Sequence, residues 1–388
     1  ALFATDWYID DMKKKAFDSD PIPSQLTHDH YKYGSRDYII FNEIDTDSIN
    51  INIWMDWVAS DDPRTMYQIP SSGQVVNTFP TKSFRLPVNK QAVLESGVVS
   101  LKDQAKIVPY IDVTIKDEVI YKNRLLMLDI IANNNWERPI YFSGGSFGDD
   151  DYLWMKDYLQ MDGVVYKLVP IKTPVDKENP FDMGRVDADK SYNIVKNWDW
   201  GNSGDPTIYH DIETRRNGLT YRSNLARIAE ALLKEDKLDK AREILDLAME
   251  KMPVDIFAFY SLLEPYMQMY YRVNQPEKAR EIYEQLAVVY QEKLLYFSSF
   301  KTKEQIDMRR EIYTDMERYR AVVTVLLAED TKEYALSQAI KFNDYIKLFP
   351  YLYNPDEGIE LENMPDSGPD TETPSQSSLQ ELLQSQDN

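Results

Sequence analysis

The sequence divides into an α/β (or α+β) domain followed by an all-α helical-repeat domain, and three observations predict this. Between Asn123 and Lys172 an apolar helix, a short strand, a second helix and a second strand follow one another, the succession expected of a layered sheet-and-helix domain. From about Thr220 onward only helical spacing remains. Within that part Lys240-Ala241-Arg242-Glu243-Ile244 returns as Lys278-Ala279-Arg280-Glu281-Ile282, an offset of 38 residues that marks stacked helix pairs. The expected organisation is residues 1–205 for the first domain, 206–350 for the repeats and 351–388 for an acidic flexible tail.

In chain order, Trp7 to Phe17 is a short amphipathic piece, closed by the turn-rich Asp18-Ser19-Asp20-Pro21-Ile22-Pro23. Tyr38-Ile39-Ile40-Phe41 reads as a strand. Ser48 to Ala59 carries two patterns, because Ile49, Ile51 and Ile53 alternate while Ile51, Trp54, Met55 and Val58 keep helical spacing. Helix is preferred, stopped by Ser60-Asp61-Asp62-Pro63. Phe84, Leu86 and Val88 alternate in one short strand, and Ile111, Val113 and Ile115 in another. From Leu125 to Ala132 only Asp129 is polar, so this helix is predicted to be buried nearly all round, and Asn133, Asn134 and Asn135 end it. Pro139 to Ser143 is a strand with proline at its first position. Asp149 to Asp151 then cap a helix predicted over Tyr152 to Leu159, and a strand from Val164 to Ile171 follows Gly163. Whether those two strands lie parallel is open. The stretch after Ile171 is loop-like, and Trp198 to Pro206 is the expected domain boundary.

In the helical part, the first copy fits the tetratricopeptide pattern: Leu225, Ile228, Ala229 and Leu232, then Ala241, Leu245 and Ala248, with Pro253 as terminator. The second copy keeps Leu263, Tyr266, Met267 and Tyr270, then Ala279, Tyr283 and Leu286. Gln291 stands where the terminal proline would, so its second helix is expected to run on towards Phe297. Ile312, Met316, Tyr319, Val323 and Leu326 start a third pair, completed by Ala335, Ala339, Phe342, Ile346 and Phe349 and ended by Pro350. The tail lacks the apolar residues to offset the entropy of ordering, beyond a short helix at Leu379 to Leu383.

The net charge is -21, and the stretch from Tyr351 to Asn388 has no lysine or arginine, so phosphate-rich nucleic acid and anionic lipid are poor partners. Cysteine is absent, which removes disulfides, thiolate zinc sites and a thiol nucleophile. The apolar run Ala321 to Ala328 is far short of the roughly 20 residues of a membrane helix. The first residue is Ala1 and no signal peptide is recognisable, so a preceding segment is expected to be missing.

Candidate chemistry is sparse. Ser143-Gly144-Gly145-Ser146-Phe147-Gly148 has the setting of a phosphate loop, opposed by three aspartates and lacking the lysine. Asp149 and Asp151 are weak candidates for a divalent metal, with an ordinary triplet on an acidic surface as the plainer reading. His28 and His30 fall on one side of an extended segment, with His210 the other histidine, and no metal spacing surrounds them. Asp129 is expected to be paired structurally, with Arg138 as partner, rather than to act as an acid or base. Aromatic side chains grip sugars or peptides, and Trp198, Trp200, Tyr266 and Tyr270 are the binding candidates, although the tyrosines also fall on packing positions. No catalytic residue, cofactor or metal is assigned.

Five stretches, TDWYID (Thr5 to Asp10), VASDDPRT (Val58 to Thr65), FPTKSFRLPV (Phe79 to Val88), NNNWERPIYF (Asn133 to Phe142) and MDGVVYKLVPI (Met161 to Ile171), resemble a family of bacterial polytopic membrane proteins. That family is a domain of unknown function similar to tetratricopeptide-bearing transmembrane protein O-mannosyltransferases. The resemblance implies that the chain is the soluble C-terminal region on the periplasmic side of the inner membrane. It also implies a membrane half, absent here, that transfers sugar from a polyprenyl phosphate. The partners implied are acceptor proteins and that membrane half. Two other readings stay open: an independent enzyme acting on a sugar or phosphate ester through carboxylates of the first domain, and a ligand-free scaffold of a membrane complex.

Overall fold

The computed structural model describes residues 2–44, 47–143, 150–174, 183–258, 262–353 and 358–359. The chain divides into two compact units. The first takes Ala1–Met161, Val165–Asp176 and Met183–Arg185, and the second takes Asp162–Val164 and the chain from Val186 on. The second unit therefore begins ahead of the Trp198 to Pro206 loop.

The first unit mixes sheets and helices. Its helices are α1 (Asp6–Met12), α2 (His28–Tyr31), α3 (Ile51–Ala59), α4 (Lys90–Glu95) and α5 (Lys122–Asn133). Its strands are β1 (Tyr38–Phe41), β2 (Ile49–Asn50), β3 (Met66–Gln68), β4 (Val75–Phe79), β5 (Ser83–Pro87), β6 (Tyr110–Thr114), β7 (Val119–Tyr121), β8 (Tyr141–Ser143), β9 (Leu159–Asp162), β10 (Val165–Leu168) and β11 (Arg185–Val186). They form sheets ordered β3-β4-β1-β7, β11-β9-β10-β8 and β2-β5-β6. The β1–β4 and β2–β5 pairs are parallel, and β8 runs antiparallel to β10, which answers the orientation left open by the sequence.

Two patterns at Ser48 to Ala59 were both real. Ile49–Asn50 pairs as a strand, and Asn50 then caps α3 through its side chain, which accepts from the Asn52 amide. Trp54 on α3 stacks face to face on Phe79 of β4, with ring centroids 3.4 Å apart, and its indole donates to the Thr81 carbonyl. Helix α5 is buried almost all round, as its composition requires, and the chain leaves it through Asn135 and Trp136 at positive φ. One expectation fails. Asp150–Tyr158 is a 3-10 helix with non-helical backbone at Met155, and Leu159, predicted as its last turn, opens β9 instead. The physical reason is pairing: β9 sits between β11 and β10, and the ladder bonds outweigh the weak helical propensity of a segment rich in aromatics.

The second unit is helical: α6 (Ala188–Lys196), α7 (Ile212–Lys234), α8 (Leu238–Lys251), α9 (Val254–Phe257), α10 (Glu264–Arg272), α11 (Pro276–Ser298), α12 (Thr302–Asp307), α13 (Arg309–Glu329) and α14 (Lys332–Ile346). As expected, α11 continues past Gln291. Ala229, Ala241, Ala248, Ala279 and Ala339 are fully buried where paired helices touch.

The repeat is visible in the backbone itself. After α7 the Lys237 amide donates to the Leu232 carbonyl and the Asp236 amide to Leu233; after α10 Gln275 donates to Tyr270 and Asn274 to Tyr271. These are the paired bonds that close a helix on a left-handed residue, here Asp236 at φ 57° and Asn274 at φ 56°. Asp and Asn are the non-glycine residues that tolerate this geometry best.

Candidate functional site

The shared Lys-Ala-Arg-Glu-Ile fragment explains how the helix layers are tied, and where the tying stops. Its arginine reaches forward: Arg242 donates to the Val273 carbonyl in the turn after α10, and Arg280 grips Asp330 in the turn after α13 with bonds of 2.8 and 2.5 Å. Its lysine reaches back: Lys240 bonds Asp189 of α6 and Lys278 bonds Asp246 of α8, at 2.8 and 2.6 Å. By that equivalence α8 stands to the second copy as α6 stands to the first.

The glutamate breaks the symmetry. Glu243 accepts from the Tyr192 hydroxyl at 2.6 Å and pairs with Lys196 at 3.0 Å, both on α6, and these donors hold its carboxyl below the usual range. Counting from the equivalent aspartates, the positions of Tyr192 and Lys196 fall on Met249 and Pro253 in the second copy. Neither donates a hydrogen bond or carries charge. Glu281 is exposed and has no ion-pair or hydrogen-bond partner among the described residues.

A groove of about 460 Å³ opens at that place. Tyr270, Ile282 and Val254 form its buried apolar floor, while Met249 and Pro253 are half-buried beside it. Asp246, Glu250, Asp255, Glu281, Gln285 and Lys278 supply the polar lining. Lys278 is engaged by Asp246 and lies 5.7 Å from the Tyr270 ring centre, and Glu250 is paired with Lys251. The Tyr270 hydroxyl donates to Asp246 at 3.0 Å, and burial, then the Asp246 charge, pushes its pKa up. Asp255, like Glu281, has no partner among the described residues. The groove is therefore apolar below and anionic at the rim.

Of the aromatic candidates, Tyr270 alone lines this groove. Tyr266 is wholly buried and donates to the Arg222 carbonyl at 2.6 Å, so it is packing in this conformation. Trp198 and Trp200 lie edge to face with centroids 5.4 Å apart, and both lie against Tyr221. Trp198 also covers Gly163, where an added Cβ would come within 2.6 Å of its ring. Packing thus accounts for Trp198, while the buried Trp200 indole N–H has no hydrogen-bond partner among the described residues.

The carboxylate candidates of the first unit separate in the same way. Asp129 is fully buried, but its partner is not Arg138. It accepts from the Ser24 hydroxyl at 2.5 Å, the Gln25 amide at 3.2 Å, the Leu26 amide at 3.4 Å and the Asn133 side chain at 2.9 Å. Burial pushes the Asp129 pKa up, opposed by those bonds from Ser24, Gln25 and Leu26. Arg138 instead donates to the Asp20 and Pro21 carbonyls, so both residues hold the same loop. Asp149 and the Gly144 to Gly148 loop lie outside the described residues, as does the Asp151 side chain. His28 and His30 fall in α2, a single helical turn rather than an extended segment; His28 contacts Asp10 at 2.9 Å and His30 accepts from the Thr27 amide. The His210 ring lies 5.4 Å from that of Phe257. Among the described residues no group of three or more His, Asp or Glu is placed to hold a metal ion.

The distinctive sequence stretches do structural work. In VASDDPRT, Arg36 donates to the Val58 and Ala59 carbonyls at the end of α3, Asp62 caps Arg64, and the Thr65 hydroxyl donates back to Asp62. In NNNWERPIYF, Asn134 donates to the Arg138 carbonyl and Trp136 to that of Pro87. The groove residues Asp246, Glu250, Asp255, Lys278, Glu281 and Ile282 were not picked out from the sequence. The usable signal was the repeated fragment, because aligning its copies shows one glutamate with donors a layer before it and the other without.

The family model described as TMEM260-associated domain 2 matches residues 1–190. No curated protein matches the chain. Nor does any solved structure. The match links the first unit to a glycosyltransferase-related membrane-protein context. No described helix is long and apolar enough to cross a membrane.

Proposed function

We propose that this chain is a soluble, non-catalytic region of a membrane-embedded, protein O-mannosyltransferase-like enzyme, on the periplasmic side of the inner membrane, whose helical unit binds and positions acceptor protein. The match to the TMEM260-associated domain carries this reading. The groove and the tetratricopeptide-like repeat support it: the 38-residue offset exceeds that motif's typical 34 residues by the length of the one-turn α9. Partners in such a reading are the acceptor and the membrane half that carries the sugar donor. In that division of labour the chain contributes proximity, which lowers the acceptor concentration needed without touching the reacting atoms.

The test is sugar transfer in membranes by the full-length protein carrying Glu281→Lys with Asp255→Lys. The expected outcome is a raised KM for acceptor protein with kcat and donor KM unchanged. Unchanged acceptor KM would remove the positioning role, and turnover of a sugar donor by this chain alone would remove the non-catalytic one.

A further inference from the structure

Glu243 and Glu281 occupy the same place in the two copies of one fragment, and the described residues fill that place in only one of them. In the first, α6 brings a tyrosine hydroxyl and, one helical turn later, a lysine ammonium onto the carboxylate. In the second, Met249 and Pro253 leave the carboxylate bare above an apolar floor. Asp255 adds a second charge on the same rim that has no partner among the described residues. We propose that the groove takes a helical polypeptide segment of a partner whose lysine pairs with Glu281 as Lys196 pairs with Glu243, and whose neighbouring aromatic or aliphatic side chain lies over Val254 and Ile282.

Charge selects this occupant over others. The chain's own residues 351–388 contain no lysine or arginine, so they are repelled from a rim of like sign. A nucleic acid is excluded on the same ground. A lysine-bearing segment gains an ion pair that steers its approach and fixes its register, while the apolar floor supplies desolvation. This inference rests on the acceptor-positioning reading and adds the chemistry of what is recognised.

The experiment uses the whole chain and a synthetic, fluorescein-labelled helical peptide with Tyr and Lys spaced four residues apart, alongside copies in which Lys is replaced by norleucine or Glu. Fluorescence anisotropy is expected to show saturable binding of the Lys peptide that weakens with salt, and about tenfold weaker binding of the norleucine peptide. Glu281→Lys should weaken the Lys peptide by a similar factor and improve the Glu peptide. Met249→Tyr, which places in α8 the residue α6 already uses, should compete with the peptide and weaken it too; a far-ultraviolet circular dichroism spectrum matching that of the parent certifies each variant. Equal affinity for the Lys and norleucine peptides, or indifference to Glu281→Lys, overturns the inference while leaving acceptor positioning to stand on the membrane transfer assay. Absence of binding by every peptide overturns it as well.

Discussion

In each unit a helix carries a buried charge that is met by hydrogen bonds and by no ion pair among the described residues, and the two are opposite in sign. In the first, Asp129 on α5 is a buried anion that collects donors from Ser24, Gln25 and Leu26, more than a hundred residues away in sequence. In the second, Arg222 on α7 is a buried cation that donates to the carbonyls of Met252 and Ala258, at 2.8 and 2.5 Å. Burial pushes the Asp129 pKa up and that of Arg222 down, the expected cost of a charge withdrawn from water. The contrast is in what each pins. A carboxylate can only accept, so it holds a loop that offers amides; a guanidinium can only donate, so it holds the ends of α8 and α9, which offer carbonyls. Residue type therefore follows from which backbone groups the irregular segment leaves unsatisfied.

The comparison is broken or sharpened by removing each charge in turn. Arg222→Ala leaves a cavity and two unpaired carbonyls, and is expected to cost about 4 kcal/mol in denaturant unfolding. Hydrogen exchange should show α7 and α8 losing protection first. Asp129→Ala strands the Ser24 hydroxyl and two amides, with an expected cost of about 3 kcal/mol and first losses in α5. If both variants expose the same amides, the two buried charges do not act on separate units.

Asn224, two residues on from Arg222 and on another face of α7, donates to the Gly163 carbonyl at 2.9 Å, and Gly163 sits at φ 72° under Trp198. Gly163→Ala is expected to cost about 2 kcal/mol, from the left-handed backbone and the clash with the indole, read as a lowered Tm with a shifted tryptophan emission.

Glu264 is the control: a half-buried carboxyl at the start of α10 for which desolvation is the one cause of its shift, pushed up to about 7 from 4.5. Because its folded pKa is raised, the folded state binds the proton more tightly, so no penalty exists below pH 4.5, it grows towards pH 7 and is complete above. Glu264→Gln should therefore raise stability by up to about 3 kcal/mol at pH 8 and change nothing at pH 4. A gain at both pH values would show that packing, not charge, dominates there.

Much of the architecture was written locally. The isolated Asp129 in an otherwise apolar stretch marked both a buried helix and a carboxylate needing partners, because side-chain periodicity is a property of a few adjacent turns. The copied Lys-Ala-Arg-Glu-Ile fragment marked the stacked pairs for the same reason. What the sequence could not name was who meets whom across distance. Arg138, close in the chain, was the natural partner for Asp129, yet the loop at Ser24 arrives instead, since a path of loops and sheets decides which groups share a buried volume. Leu159 left its predicted helix because strands on either side needed a ladder partner. The groove is the clearest case. Two identical fragments place identical glutamates, and only the helix laid down before each decides that Glu243 is held by Tyr192 and Lys196 while Glu281 stands open to solvent.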